Sequence, residues 1–298
     1  MFFKRIFIPL LLLELLLLLF TSVAYFLLVR FWNINLPEWV LWVFPLALSL
    51  VFIYIFLNRI LNIVYPNLSN DAVKVIPIGI LFLLVPILTA VLFPALAKSI
   101  RYNFATVLQL KSINKLKAGE SPVFLEVEDW YVDRMRVIPI RTISMPNFLS
   151  MGKHQVNILF IAPIFSRTDA YRTHAKAWLG FAYSKVFSRK ELNQHLDDKF
   201  AKGSIAHFKK MNVRGFDYLE AFPRGEQYEV LKEMAQVHDY FKSGYINIYK
   251  GQDVDRDILS IYHFKYFLFL FAIVGIPGLL IISGLVSYFK PKEFDEME

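Results

Sequence analysis

The chain has 298 residues, 56% of them hydrophobic, with a mean hydropathy of +0.44; a soluble domain carries about 45–50% apolar residues, so a wholly water-soluble chain is excluded. It holds no cysteine, which excludes disulfides, thiolate metal sites and cysteine nucleophiles. The net charge is +8, and the excess lies between Lys98 and Lys265, where 26 Lys/Arg stand against 18 Asp/Glu.

Residues 6–100 and 266–289 are almost continuously apolar. A helical span needs about 20 apolar residues to cross about 30 Å of hydrocarbon. The first expected span is 7–29, after Lys4 and Arg5. Thr21-Ser22-Val23-Ala24 would serve as a signal cleavage site, but the apolar run continues through 25–29, too long for a signal peptide core. The second is 39–57, opened by Pro37-Glu38, with Trp32, Trp39 and Trp42 placed for an interfacial aromatic belt. The third is 75–97, carrying Pro77, Pro86 and Pro94, each of which removes a backbone donor and favours a kink. The fourth is 266–289, with Gly275-Ile276-Pro277-Gly278 inside it, where the glycines permit close helix packing and the proline predicts a bend.

Between spans three and four, residues 98–117 read as a juxtamembrane helix with Ile100, Phe104, Val107, Leu108 and Leu116 on one face. Strands are expected at 123–128, 131–140 and 155–161. A helix over 169–187 follows. Ser188 and Glu191 make a capping box that opens another helix to about 202, with Gly203 dividing off 204–211. A helix over 226–242 and a strand over 245–249 complete the domain. The expected fold is an α-helical membrane protein with four transmembrane helices and an inserted small α+β soluble domain, its helices on one sheet face. The domains are 1–98 (three spans), 99–118 (juxtamembrane helix), 119–262 (soluble domain) and 263–298 (fourth span and charged tail).

Short loops decide orientation. With the N-terminus in the cytoplasm, Lys4, Arg5, Arg59, Lys74, Lys290 and Lys292 are inside and Arg30 alone is in the short outer loop. That favours a non-cytoplasmic soluble domain in a plasma or inner membrane, although counting the basic flanks that follow span three and precede span four roughly cancels the preference.

Glu14 stands near the middle of an apolar span. A mid-bilayer carboxylate costs at least about 2.5 kcal/mol and marks a pairing or an ion path, so Glu14 is expected to be protonated or hydrogen-bonded, with Ser49 or Thr89 as structural partners. Arg167, Arg172, His174 and Lys176 surround the start of the helix expected after the buried strand. A strand followed by a helix N-terminus offers free backbone amides to an anion, so these residues are a weak candidate for phosphate or headgroup binding. His195 and Asp198 share a helix face and are a weak catalytic or metal pair. A third ligand would have to come from His207 or His238 with Asp239, and no recognised ligand spacing is present. No nucleophile elbow, phosphate loop or dinucleotide motif occurs, so no metal or cofactor is expected.

The basic domain points to anionic headgroups as its neighbours; no nucleic acid is expected, because no dense basic run or binding motif accompanies the charge. The expected function is a non-enzymatic interaction or scaffold protein of the membrane. Its soluble domain would bind another envelope component, with the bilayer and either a protein partner or a second copy as partners. The alternatives are an enzyme acting on a lipid or envelope precursor, and a small transporter or channel using Glu14.

Overall fold

The computed structural model describes residues 3–32, 36–64, 75–117, 119–134, 137–144, 153–168, 174–241 and 244–288. Its helices are α1 (Ile8–Leu27), α2 (Val40–Val64), α3 (Val75–Phe104), α4 (Arg189–Asn193), α5 (Leu196–Lys210), α6 (Glu226–Gln236), α7 (Arg256–Leu270) and α8 (Ile276–Tyr288). Its strands are β1 (Val107–Ser112), β2 (Phe124–Asp129), β3 (Tyr131–Val132), β4 (Ile138–Ser144), β5 (Lys153–Phe165), β6 (Ala177–Ser188), β7 (Tyr218–Ala221) and β8 (Ile248–Gln252). The chain divides into two compact units, one of Met1–Ala105 with Arg256–Glu298 and one of Thr106–Asp255.

The first unit is helical. Among the described residues, Ile8–Phe31, Ile78–Phe104 and Arg256–Tyr288 are long and apolar enough to cross a membrane, and Val40–Phe56 is a shorter apolar helix. Its core joins Leu10 and Leu17 of α1, Ile53 of α2, Leu81, Val85, Leu88 and Leu92 of α3, and Leu279, Ile282 and Val286 of α8. Two glycines of the last helical stretch, Gly275 and Gly278, are where α3 comes close. A Cβ built on Gly278 would stand 3.1 Å from Leu88 Cδ1, and one on Gly275 3.4 Å from Leu92 Cδ1. A π-turn at Phe271–Gly275 precedes α8. Pro277 has no N–H to donate and its ring crowds the preceding turn, which the wider π-turn accommodates.

At its far end α3 is tied to the start of α7. Ser260 donates to the Ser99 carbonyl at 3.1 Å, Tyr102 stacks on His263 at 5.5 Å, and the Arg256 guanidinium donates to the carbonyls of Tyr102 (2.7 Å) and Ala105 (3.0 Å). The last carbonyls of a helix lack intrahelical donors, so Arg256 closes the end of α3 with a cation where the helix dipole favours one.

Among the described residues the second unit is a mixed eight-stranded sheet in the order β1-β2-β7-β8-β6-β5-β3, with β4 also pairing to β5. The β1–β2 and β6–β8 pairs are parallel and the others antiparallel. Side chains alternate between faces, and in β5 both faces are buried. Leu159 and Ile161 meet Leu231, Met234 and Ala235 of α6. Ile158 and Phe160 meet Phe208, Phe200 and Ile205 of α5. Helices therefore cover both faces, not the one expected.

Three further sequence expectations are corrected. The juxtamembrane helix over 99–118 ends at Phe104, and Val107–Ser112 is a strand. Val107-Leu-Gln-Leu-Lys alternates with period two, and pairing with β2 buries its leucines against the sheet core. The helix over 169–187 is absent where the residues are described, because Ala177–Ser188 is β6, paired to β5 from end to end. Its aromatic and β-branched residues favour a strand. Gly180 weakens a helix and fits the strand, since a Cβ there would lie 2.9 Å from Ile248 and 3.0 Å from Leu231. Finally, Gly203 does not divide α5, which runs unbroken from Leu196 to Lys210. The Ser188–Glu191 capping box is present, but its helix is the short α4, and His195 in left-handed conformation (φ 56°) separates it from α5.

Candidate functional site

Glu14 is fully buried among the helices of the first unit. The Thr89 hydroxyl of α3 lies 3.2 Å from its Oε2 and 3.0 Å from the Val85 carbonyl. One hydroxyl proton serves one acceptor at a time, so Thr89 has an alternative partner of its own. Among the described residues Glu14 Oε1 has no hydrogen-bond partner, nor do the buried hydroxyls of Ser49 and Ser283.

His195 and Asp198 meet at 3.4 Å, with His195 largely exposed. Asp198 is engaged elsewhere too, accepting from Arg141 Nη1 of β4 at 2.7 Å, while Arg141 also pairs with the neighbouring Asp197. The arrangement is an arginine clamp joining β4 to the first turn of α5. The other histidines named with this pair are not brought to it: His207 meets the Tyr183 hydroxyl at 2.9 Å, and His238 packs on Trp178 and Tyr240. No group of three metal-ligating side chains occurs among the described residues.

The Arg167 cluster disperses. Lys176 Nζ donates to the Asn114 carbonyl at 2.6 Å, His174 holds a buried Nδ1 without a partner among the described residues, and Arg172 lies outside the described residues. The expected helix N-terminus at residue 169 lies outside the described residues, and the rest of that expected helix, from Ala177, is the strand β6. Arg167 alone opens on a cleft.

That cleft has a volume of about 500 Å³ and is lined by Trp130, Tyr131, Val132, Arg134, Arg167, Lys210, Met211, Asn212 and Val213. β3 and the ends of β2 and β5 form one wall, and the end of α5 the other. Asp129 fixes the first wall. Its carboxylate accepts from the Ser166 and Thr168 hydroxyls, from Ser112, and from the Arg167 amide at 3.0 Å. These donors, Ser166 foremost, hold the Asp129 carboxyl below its ordinary range. Arg167 Nε donates to the Trp130 carbonyl at 3.0 Å, and Arg134 donates to the carbonyls of Lys209 and Met211, capping α5. Among the described residues the lining carries three cations and no carboxylate.

Arg134 and Lys210 escaped the sequence reading. Arg134 carried no local signal, and only the Lys209-Lys210 pair marked Lys210, a kind of pair ordinary on solvated helices. No protein-family model, curated protein or solved structure matches the chain.

Proposed function

We propose that this is an integral membrane protein crossing the bilayer four times, α2 supplying the second span, with the sheet domain inserted between the third and fourth. It acts by binding another envelope component within a membrane complex. The observation that carries this reading is the closure of α3 onto α7 by Arg256. The chain leaves the helices after Ala105 and returns at Arg256, so the domain is tethered through two adjacent connections. A double tether keeps a binding surface at the membrane, which suits assembly with a partner there. The apolar character of the helices, with Glu14 as the buried carboxylate of α1, supports helix packing over ion conduction, which needs a continuous polar path.

The test is affinity purification of the intact chain in mild detergent followed by mass spectrometry, repeated with charge reversals at the exposed Lys185, Lys190 and Lys202. A stoichiometric partner that at least one reversal releases is the expected result. A lone species carrying a tightly held lipid or metal ion would overturn the reading in favour of an enzyme or a transporter.

A further inference from the structure

The cleft of the sheet domain has a composition that selects its ligand. Arg134, Arg167 and Lys210 make no ion pair among the described residues; the two arginines are held by main-chain oxygens instead. Among the described residues the Arg167 side chain uses only Nε, on the Trp130 carbonyl, and both terminal nitrogens face no protein acceptor there. Arg134 covers the carbonyl end of α5, which would otherwise repel an anion. Asp129 is not among the lining residues, and its carboxylate is held by four donors of its own.

Size narrows the choice. Sites for small organic molecules run about 300–1,000 Å³, and this cleft, at about 500 Å³, is too large for a free inorganic anion to fill. The half-buried indole of Trp130 and the side chains of Val132 and Val213 supply an apolar floor beside the cations. We propose that the cleft binds a phosphate ester, its phosphoryl oxygens on the Arg167 guanidinium and the Lys210 ammonium and its organic body against Trp130. Arginine presents paired N–H groups that match phosphoryl oxygens, and an indole face favours a flat or apolar body. The proposal rests on the reading of the domain as a binding module and names the chemistry of what it binds. The ester belongs either to a lipid headgroup or to a soluble molecule.

Calorimetric titration of the intact chain in a neutral detergent tests this. The probes are phenyl phosphate, short-chain phosphatidic acid, inorganic phosphate and, as neutral control, benzyl alcohol. Saturable binding of at least one ester is expected, at least tenfold tighter than inorganic phosphate, and undetectable for benzyl alcohol. Binding of phosphatidic acid alone assigns the site to a lipid; binding of phenyl phosphate assigns it to a soluble ester. Arg167→Gln should weaken the ester at least tenfold. Lys210→Glu should do the same, and that side chain is exposed and holds no other described residue, so the fold stays intact. Trp130→Ala should reduce the preference for phenyl phosphate over inorganic phosphate. No saturable ester binding, or ester binding indifferent to Lys210→Glu, overturns the proposal. Loss of the co-purifying partner is a separate readout, so a partner that survives while every ester fails leaves the domain a binding module with the wrong ligand assigned.

Discussion

Glu14 illustrates what one buried atom costs. Its Oε1 is without a partner among the described residues, and its Oε2 shares a hydroxyl that Val85 can also claim. An unsatisfied buried polar group costs about 1–3 kcal/mol. Glu14→Leu removes both oxygens at similar volume and leaves Thr89 bonded to Val85, so no new orphan appears. The variant is expected to unfold in detergent at a higher temperature than the parent, by a few degrees. A lower midpoint would show that the carboxyl makes a contact the protein depends on, and would revive an intramembrane role. Asp129 gives the opposite case. Four donors hold its carboxyl below the ordinary range, so the folded state binds its proton less readily than the unfolded state. Stability from this group is therefore present above the unfolded value of about 3.9 and is lost as pH falls through the lower folded value. Asp129→Asn should be less stable at neutral pH and flatter across the acid limb from about pH 5 down. Intrinsic fluorescence unfolding at stepped pH measures it, and parallel acid limbs for the two proteins would count against the network. At this scale the sequence was readable where the signal was local. A carboxylate in an apolar run and a capping box three residues apart declare themselves. Trp130, Arg167 and Lys210 meet only because β3 pairs with the end of β5 and α5 returns beside them, which no local spacing encodes.

Two glycines show how elements are fixed by what lies beside them. The Phe216 ring occupies the place of a side chain on Gly251, and a Cβ there would overlap it. Gly251 pairs with Leu219 between β7 and β8, and Phe216 packs onto the sheet core beside Phe181. Gly251→Ala must expel the ring, at a cost of about 1–3 kcal/mol. Gly203 is its counterpart, inside α5 with nothing within 4 Å of the point where an alanine methyl would stand. Gly203→Ala should stabilise by about 0.5–1 kcal/mol through helix propensity. Chemical denaturation reads both, and shifts of the same sign would refute the assignment. The same neighbour dependence explains the misread elements. β1 and β6 contain apolar residues that also approximate a helical stripe, and only their partners, β2 for one and β5 with β8 for the other, decide for the strand. β7, four residues long, has no periodicity to read; it exists because β2 and β8 flank it.

For the whole molecule, the division into an apolar helical part and a polar sheet part was legible because a bilayer demands long uninterrupted apolar runs. The boundary moved, since Arg256–Tyr288 is 33 residues of helix where the apolar run alone predicted a start at 266. At 1.5 Å per residue that stretch is about 50 Å long, against about 30 Å of hydrocarbon. Its first turns run beside the last turns of α3, and Lys98, Arg101, Arg256 and Lys265 lie on these two stretches. These four offset much of the charge bias of Lys4, Arg5, Arg59, Lys74, Lys290 and Lys292, which is why orientation calls for a direct measurement. The absence of cysteine makes the chain suited to one, because each introduced thiol reports alone. Ala206 is exposed on α5 and Lys4 is exposed before α1. If the sheet domain lies outside the cytoplasm, as the short-loop charges favour, a membrane-impermeant maleimide added to intact cells modifies Ala206→Cys, while Lys4→Cys reacts only after permeabilisation. The reverse pattern places the sheet domain in the cytoplasm, and modification of both positions in intact cells excludes an odd number of crossings between them, leaving α2 outside the set of spans.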